Sequence, residues 1–181
     1  MIELDRRFRL LRPGAAVVDL GAWPGGWMQV AAERVGPKGR VVGIDLVPID
    51  PLPQPQATTL VGDLSDPAVI AASRERLGRA ANVVLSDAAP KLSGVRARDE
   101  AQCEAVSAAI LEALPSLLAE RGAFVMKTFM RTGVDELQKR LARTFERVQL
   151  VRPAASRQGS SECYIVALGH RQVPIGNIDC G

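Results

Sequence analysis

Histidine and cysteine are scarce in this chain of 181 residues: one histidine, His170, and three cysteines, Cys103, Cys163 and Cys180, widely spaced and with no C-x-x-C pair. An odd, scattered set of thiols makes no disulfide framework, and a lone imidazole makes no zinc site. The chain is therefore expected to work in a reducing, cytoplasmic compartment and without a metal. Aromatic residues are only 4% of the sequence, too few for the stacking platform on which many proteins hold single-stranded nucleic acid. No apolar run approaches the ~20 residues of a membrane span. The opening M-I-E-L-D carries acids where a secretory leader needs an apolar core, so neither insertion nor export is expected. The G-x-G-x-x-G of dinucleotide-binding turns is missing as well: the glycines after the first apolar run fall at 21, 25 and 26, with Trp23 between them.

What is present suffices for one well-buried domain. Apolar residues make up 47% of the chain, and the length is too short for two ordinary cores. Residues 1–170 read as that domain, and residues 171–181 as a tail with no clear element, a candidate for disorder. Lysine and arginine number 23 against 20 acids, a net charge of +3, which permits a nucleic-acid partner without requiring one.

Strand and helix patterns alternate along the domain. An apolar run at 15–20 leads through the glycine turn into a helix at 25–35, with Met28, Ala31, Ala32 and Val35 on one face and Gly36-Pro37 as its stop. Strands are expected at 40–46 and 57–62. Ser65, Asp66 and Pro67 cap a helix reaching Leu77, followed by a strand at 82–87. A helix over 99–120, kinked or divided by Pro115 and stopped by Gly122, precedes a strand at 123–129. A helix at 134–145 and strands at 148–151 and 163–168 complete the pattern. This alternation predicts an α/β fold with a mainly parallel seven-stranded sheet, helices on both faces, and an antiparallel edge where the last two strands join without a helix.

Asp19, Asp45, Asp63 and Asp87 close or follow the first four strands. In an open parallel sheet ligands bind beyond the carboxyl ends of the strands, so acids there suit a ligand with ribose hydroxyls, an amine and a cationic centre. For any one of them helix capping is an equally good reading; together they favour a site. Gly21, Gly25 and Gly26 leave a ligand room to approach the backbone.

The ordered segments D-L-G-A-W-P-G-G-W, V-V-G-I-D-L-V-P-I-D-P, G-D-L-S-D, S-D-A-A-P-K-L-S-G, F-V-M-K-T-F and S-R-Q-G-S-S-E-C-Y-I-V resemble the FtsJ (RrmJ) family of S-adenosylmethionine-dependent ribosomal RNA ribose 2′-O-methyltransferases. The resemblance runs from about Leu10 to Gly169. It implies a Rossmann-like methyltransferase fold, S-adenosylmethionine held by Gly21, Gly25, Gly26, Trp27, Asp45, Asp63 and Asp87, and a large-subunit ribosomal RNA substrate modified at a uridine. It further implies that Lys127, Asp87 and Glu162 belong to the family's lysine, aspartate, lysine, glutamate tetrad. Counting back from R-P-G puts the tetrad's first lysine immediately before Met1, so it is absent from this sequence. Trp23 stands where the family usually has a small residue.

Methyl transfer to a hydroxyl depends on aiming the oxygen and excluding water, with a base to take the proton. Lys127 is the candidate base and the carboxylates its orienting groups. Lys91, Arg96, Arg98, Arg131, Arg152 and Arg157 fall in loops expected at the same sheet edge and are the candidate phosphate contacts. The enzyme is expected to be a monomer acting on ribosomal RNA within the large subunit. Two other readings stand beside this one: a small-molecule O-methyltransferase on the same fold, and a cofactor-binding RNA module impaired in catalysis by the absent lysine.

Overall fold

The protein is described from a computed structural model covering residues 1–89, 93–129, 133–152 and 162–172, with the Arg96 side chain left aside. Strands β1 (Ala16–Leu20), β2 (Arg40–Asp45), β3 (Ala57–Val61), β4 (Ala81–Ser86), β5 (Leu118–Phe129), β6 (Phe145–Val151) and β7 (Glu162–His170) form one sheet in the order β3-β2-β1-β4-β5-β7-β6. The pairs among β1 to β5 are all parallel, whereas β7 runs antiparallel to both β5 and β6. The expected antiparallel edge is thus made by β7 inserting between β5 and β6. From β1 the chain steps outward to β2 and β3, then returns to lay β4 on the other side of β1. This reversal opens a crevice at the carboxyl ends of β1 and β4, the usual place for a ligand in such a sheet.

Both faces of the sheet are covered. Helices α1 (Ile2–Phe8) and α2 (Gly26–Val35) pack through Leu4, Met28, Ala31, Ala32 and Val35 on the face carrying Val17, Val83, Leu85, Val125 and Val166. Helices α3 (Pro67–Leu77), α4 (Arg96–Leu117) and α5 (Val134–Ala142) bury Ile70, Leu77, Ile110, Leu114, Leu117, Leu137 and Leu141 on the face of Val18, Leu20, Val84 and Phe124. Because strand side chains alternate between faces, each inner strand is apolar on both sides, which explains the unbroken apolar runs.

Three expectations change. Helix α1 adds an element that the periodicity does not predict: its seven residues bury only Leu4 and Asp5, too little for a periodic signal and too short a helix to stand alone. It is held from outside, by Asp5 accepting the Leu11 amide at 2.8 Å and meeting Arg34 of α2 at 3.5 Å. Helix α4 begins three residues earlier than expected, after the Asp99 carboxylate gathers the Ser93 amide and hydroxyl and the Gly94 amide. It then runs as one element through Pro115 and ends at Leu117, and Gly122 lies inside β5 instead of stopping the helix. Pro115 removes one backbone donor from the last turn, and the helix ends two residues later. Similarly, α5 ends at Ala142, and Phe145 instead opens β6 with its side chain buried. The tail from residue 173, Lys91, Arg131 and Arg157 lie outside the described residues.

Candidate active site

The side chains that converge do so by strand parity. Val17, Val83, Leu85, Val125, Tyr164 and Val166 all face α1 and α2. Stepping two residues from each strand's last member toward the carboxyl ends of the parallel strands brings Asp19, Asp87 and Lys127 to this same face, and stepping back from Tyr164 on the antiparallel β7 brings Glu162 there too. The Asp87 amide still donates to the Leu20 carbonyl at 3.1 Å, so the ladder extends one residue past β4 and fixes this orientation.

Lys127 Nζ pairs with Asp87 Oδ1, both side chains about a quarter exposed (23% and 27%). Burial raises the Asp87 carboxyl above its ordinary range, opposed by the hydrogen bond and charge of Lys127 and assisted by the charge of Glu162. Tyr164, register partner of Lys127 across β5 and β7, donates its hydroxyl to Glu162 Oε1 at 2.8 Å. Burial pushes the Tyr164 hydroxyl well up, so it stays a donor. The phenol ring also meets the Trp27 ring at 5.9 Å between centroids, tilted by 30°. Tyr164 closes the S-S-E-C-Y segment that carries the resemblance but had no role assigned from the sequence; the alternation of β7, which puts residues 162 and 164 on one face, was its signal. The Met1 amino nitrogen lies within electrostatic reach of Asp87 and Glu162.

A cavity of ≈ 760 Å³ opens beside the pair, lined by Gly21, Trp23, Asp45, Asp63, Asp87 and Lys127, with Ala105, Val106 and Ala109 of α4 as an apolar wall. Its size and its few convergent polar groups are those of a small-molecule site. Both Asp45 oxygens are oriented by backbone amides, Oδ2 by Trp23 and Oδ1 by Val47, each at 2.9 Å. Asp63 accepts from the Ser65 amide at 2.8 Å and from its hydroxyl at 2.7 Å, which holds the carboxyl below its usual range. Trp23 is 57% exposed at the mouth. Gly25, Gly26 and Trp27 begin α2 and fall outside the cavity lining, the Trp27 side chain packing toward Tyr164.

Behind the cavity Asp19 is completely buried, and neither of its oxygens makes a hydrogen bond. Burial first, then the charges of Asp87 and Asp45, push its carboxyl up to about 7, with the Met28 amide at the start of α2 pulling the other way. Asp45, Asp63 and Asp87 on the cavity wall, with Asp19 buried behind them, outnumber Lys127, the one cation in the lining, so the cavity suits a cationic ligand.

Gly21 adopts φ +75°, and a Cβ there would lie 2.4 Å from the Ala88 Cα. The ends of β1 and β4 can approach this closely only over a glycine. Gly21→Ala is expected to destabilise the fold by more than about 2 kcal/mol in denaturant unfolding, since backbone must move to admit the methyl. Arg98, in the first turn of α4, and Arg152, just after β6, are both exposed. Among the described residues no helix is long and apolar enough to cross a membrane, and no group of three or more histidine, cysteine, aspartate or glutamate side chains could hold a metal ion.

The geometry agrees with what the chain is similar to. It is 38% identical over its whole length to ribosomal RNA large subunit methyltransferase E of Acidithiobacillus ferrooxidans, covering 82% of that protein. With the protein of the same name from Acidiphilium cryptum it shares 44% over 171 residues, 94% of this chain and 74% of the relative. Its fold matches a protein described as a ribosomal RNA methyltransferase of Plasmodium falciparum, with a TM-score of 0.81 at 24% identity over 93% of each chain. It also matches Aeropyrum pernix fibrillarin in complex with S-adenosyl-L-methionine, with a TM-score of 0.63 at 14% identity over 88% of this chain and 68% of that one. Residues 1–170 match the FtsJ-like methyltransferase family from end to end, and with the acid-lined crevice at the sheet's point of reversal this chain belongs to that family.

Proposed function

We propose that this protein methylates a ribose 2′-hydroxyl of large-subunit ribosomal RNA, at a uridine, with S-adenosylmethionine as donor and Lys127 as the base. The observation that carries the reading is the Lys127–Asp87 pair at the edge of an acid-lined cavity, with Glu162 on the same face. The names of the relatives, each a large-subunit ribosomal RNA methyltransferase, support the substrate. The reading includes a monomeric, metal-free enzyme of the cytoplasm that meets its RNA within the large subunit.

The donor suits the residues present. Asp19 is a buried acid without a hydrogen-bond partner, Asp45 and Asp87 repel it, and Gly21 leaves no side chain in the way, an arrangement that favours an ammonium and a sulfonium over any anion. When bound, S-adenosylmethionine supplies an electrophilic methyl group on a positively charged sulfur. Asp45, its oxygens already aimed by two amides, is suited to accept from ribose hydroxyls, and Asp63, kept ionised by Ser65, from an adenine amine. Gly25 and Gly26 permit the turn into α2, and Trp27 steadies Tyr164. Lys127 in its neutral form takes the hydroxyl proton at Nζ. Asp87 orients that nitrogen, and Tyr164 fixes Glu162 beside it. Lys91, Arg96, Arg98, Arg131, Arg152 and Arg157 are assigned to RNA phosphates.

Asp45→Ala is expected to weaken binding of S-adenosylmethionine at least tenfold by calorimetry, about the worth of one charge-assisted hydrogen bond. It should also lower the thermal midpoint, because the Trp23 and Val47 amides lose their acceptor. The reaction itself is tested by incubating the protein and labelled donor with large subunits from a strain lacking the activity, then mapping the modified nucleotide. Label on a ribose oxygen supports the reading; label on a base, or faster methylation of catechols than of RNA, refutes it.

A further inference from the structure

The end of the sheet opposite the catalytic crevice carries a cavity of ≈ 560 Å³ between the α1–β1 turn, the start of β4 and the bend in β5. Arg9, Arg12, Arg79 and Arg121 line it, with Glu120 the one acid among its lining residues. Four arginines against one glutamate give this wall a net charge of +3, as much as the whole chain carries. All four are exposed, and none is ion-paired among the described residues. Arg79 donates to the Gly14 carbonyl and so ties the base of α3 to the α1–β1 turn.

Two of these arginines occupy backbone positions that suit glycine or asparagine. Arg9 caps α1 at φ 53° and Arg121 bends β5 at φ 61°, the two positive φ values of non-glycine residues among the described residues. Left-handed backbone costs a side-chain-bearing residue conformational energy, and such strain persists where the surroundings or a function require it. A solvated surface needs no arginine at a strained bend. A concave wall of unpaired guanidinium groups is suited to phosphate oxygens, which the planar fork of arginine meets two at a time.

We infer that this cavity is a second RNA site, which grips the phosphodiester backbone of the substrate at a distance from the nucleotide being methylated. The inference rests on the RNA reading above and extends it. With five residues in β1 at ~3.3 Å each, the two sites stand about 17 Å apart along the sheet. Contacts to phosphate carry no sequence information; they set register and orientation, which suits a chain whose aromatic content is only 4%.

The test uses Arg9→Asn/Arg12→Gln/Arg121→Asn in the full chain, with Arg79 kept for its bond to Gly14. Asparagine accepts left-handed backbone, so the thermal midpoint and the calorimetric affinity for S-adenosylmethionine should be unchanged or higher. Affinity for deproteinised large-subunit RNA should fall at least tenfold, and the slope of log affinity against log salt should shrink by about two to three. Arg121→Asn alone should give about a third of the slope change. Unchanged RNA affinity and slope beside a wild type that binds and methylates RNA would remove the second site and leave the proposed function standing. Binding weakened to whole subunits but not to bare RNA would assign the cavity to a ribosomal protein and overturn the inference. A variant that unfolds or loses cofactor would make the arginines structural and overturn it equally. A wild-type chain that takes cofactor but binds no RNA would overturn both readings.

Discussion

Lys127→Ala should slow methyl transfer by about 10²- to 10⁴-fold, the usual worth of a positioned base, while cofactor affinity changes little. The ribose hydroxyl is a very weak acid, and in the proposed mechanism Lys127, the one basic side chain among the cavity's lining residues, accepts its proton. The structural role of Lys127 is to neutralise Asp87, and alanine removes both roles at once. Lys127→Arg separates them, because arginine keeps the ion pair but does not give up its proton. Retained activity in the arginine variant would reduce Lys127 to a structural counter-ion. A slowing of that size in both variants, with normal calorimetric binding of cofactor, is the expected outcome. A lysine appended immediately before Met1 should enter the same group, since the Met1 nitrogen already feels Asp87 and Glu162. A second cation there favours the neutral form of its neighbour. The extended chain should therefore be faster at neutral pH than the chain beginning at Met1, and Lys127→Ala should silence both. Equal rates for the two lengths would remove the first lysine from the mechanism.

Asp19→Asn should make the empty protein more stable at neutral pH and a poorer binder of its cofactor. The sign follows from proton binding. In the unfolded chain this carboxyl loses its proton near its ordinary 3.8, whereas in the fold it keeps it to about 7. Between those values the folded state binds more protons, so stability falls as pH rises, and above pH 7 the full penalty stands. A displacement of that size corresponds to on the order of 4 kcal/mol, an upper bound on what the amide recovers. The unfolding free energy of the parent should decline from about pH 4 to pH 7, and that of Asp19→Asn should decline much less. An identical pH profile in the two proteins would show that Asp19 is not the group responsible. Binding of a cationic cofactor beside Asp19 should also release protons near pH 7, seen as a dependence of calorimetric heat on buffer ionisation enthalpy, and the asparagine variant should lose it. Such an exchange of stability for binding is common at functional sites.

Much of this site was legible because a strand repeats every two residues and a parallel strand ends where its ligand begins. Asp45, Asp63 and Asp87 follow apolar runs directly, and the cavity they line lies where that pattern puts it. Lys127 was placed on the fifth strand by the same apolar pattern, but its role came only from the resemblance of F-V-M-K-T-F to the family's segment. The alternation of strand and helix patterns was enough for the mainly parallel sheet, since each element's own apolar period set its type. Residue order alone also determined family membership, over residues 1–170.

The tertiary structure decided whatever depends on a contact between distant residues. Helix α1 exists because Asp5 reaches Leu11 and Arg34. The start of α4 was set by Asp99 gathering Ser93 and Gly94, and its end by β5 pairing from Leu118 onward, a gain in sheet hydrogen bonds that no local stop signal at Gly122 could announce. Insertion of β7 between β5 and β6 brought Tyr164 beside Lys127, with Glu162 held by the Tyr164 hydroxyl. Asp19 was visible as one acid among four, but its displaced titration came only from burial among other charges. The arginine-lined cavity likewise joins four positions scattered from residue 9 to residue 121. Periodicity is written in neighbours along the chain, whereas electrostatic environment is a property of neighbours in space, and only the fold supplies those.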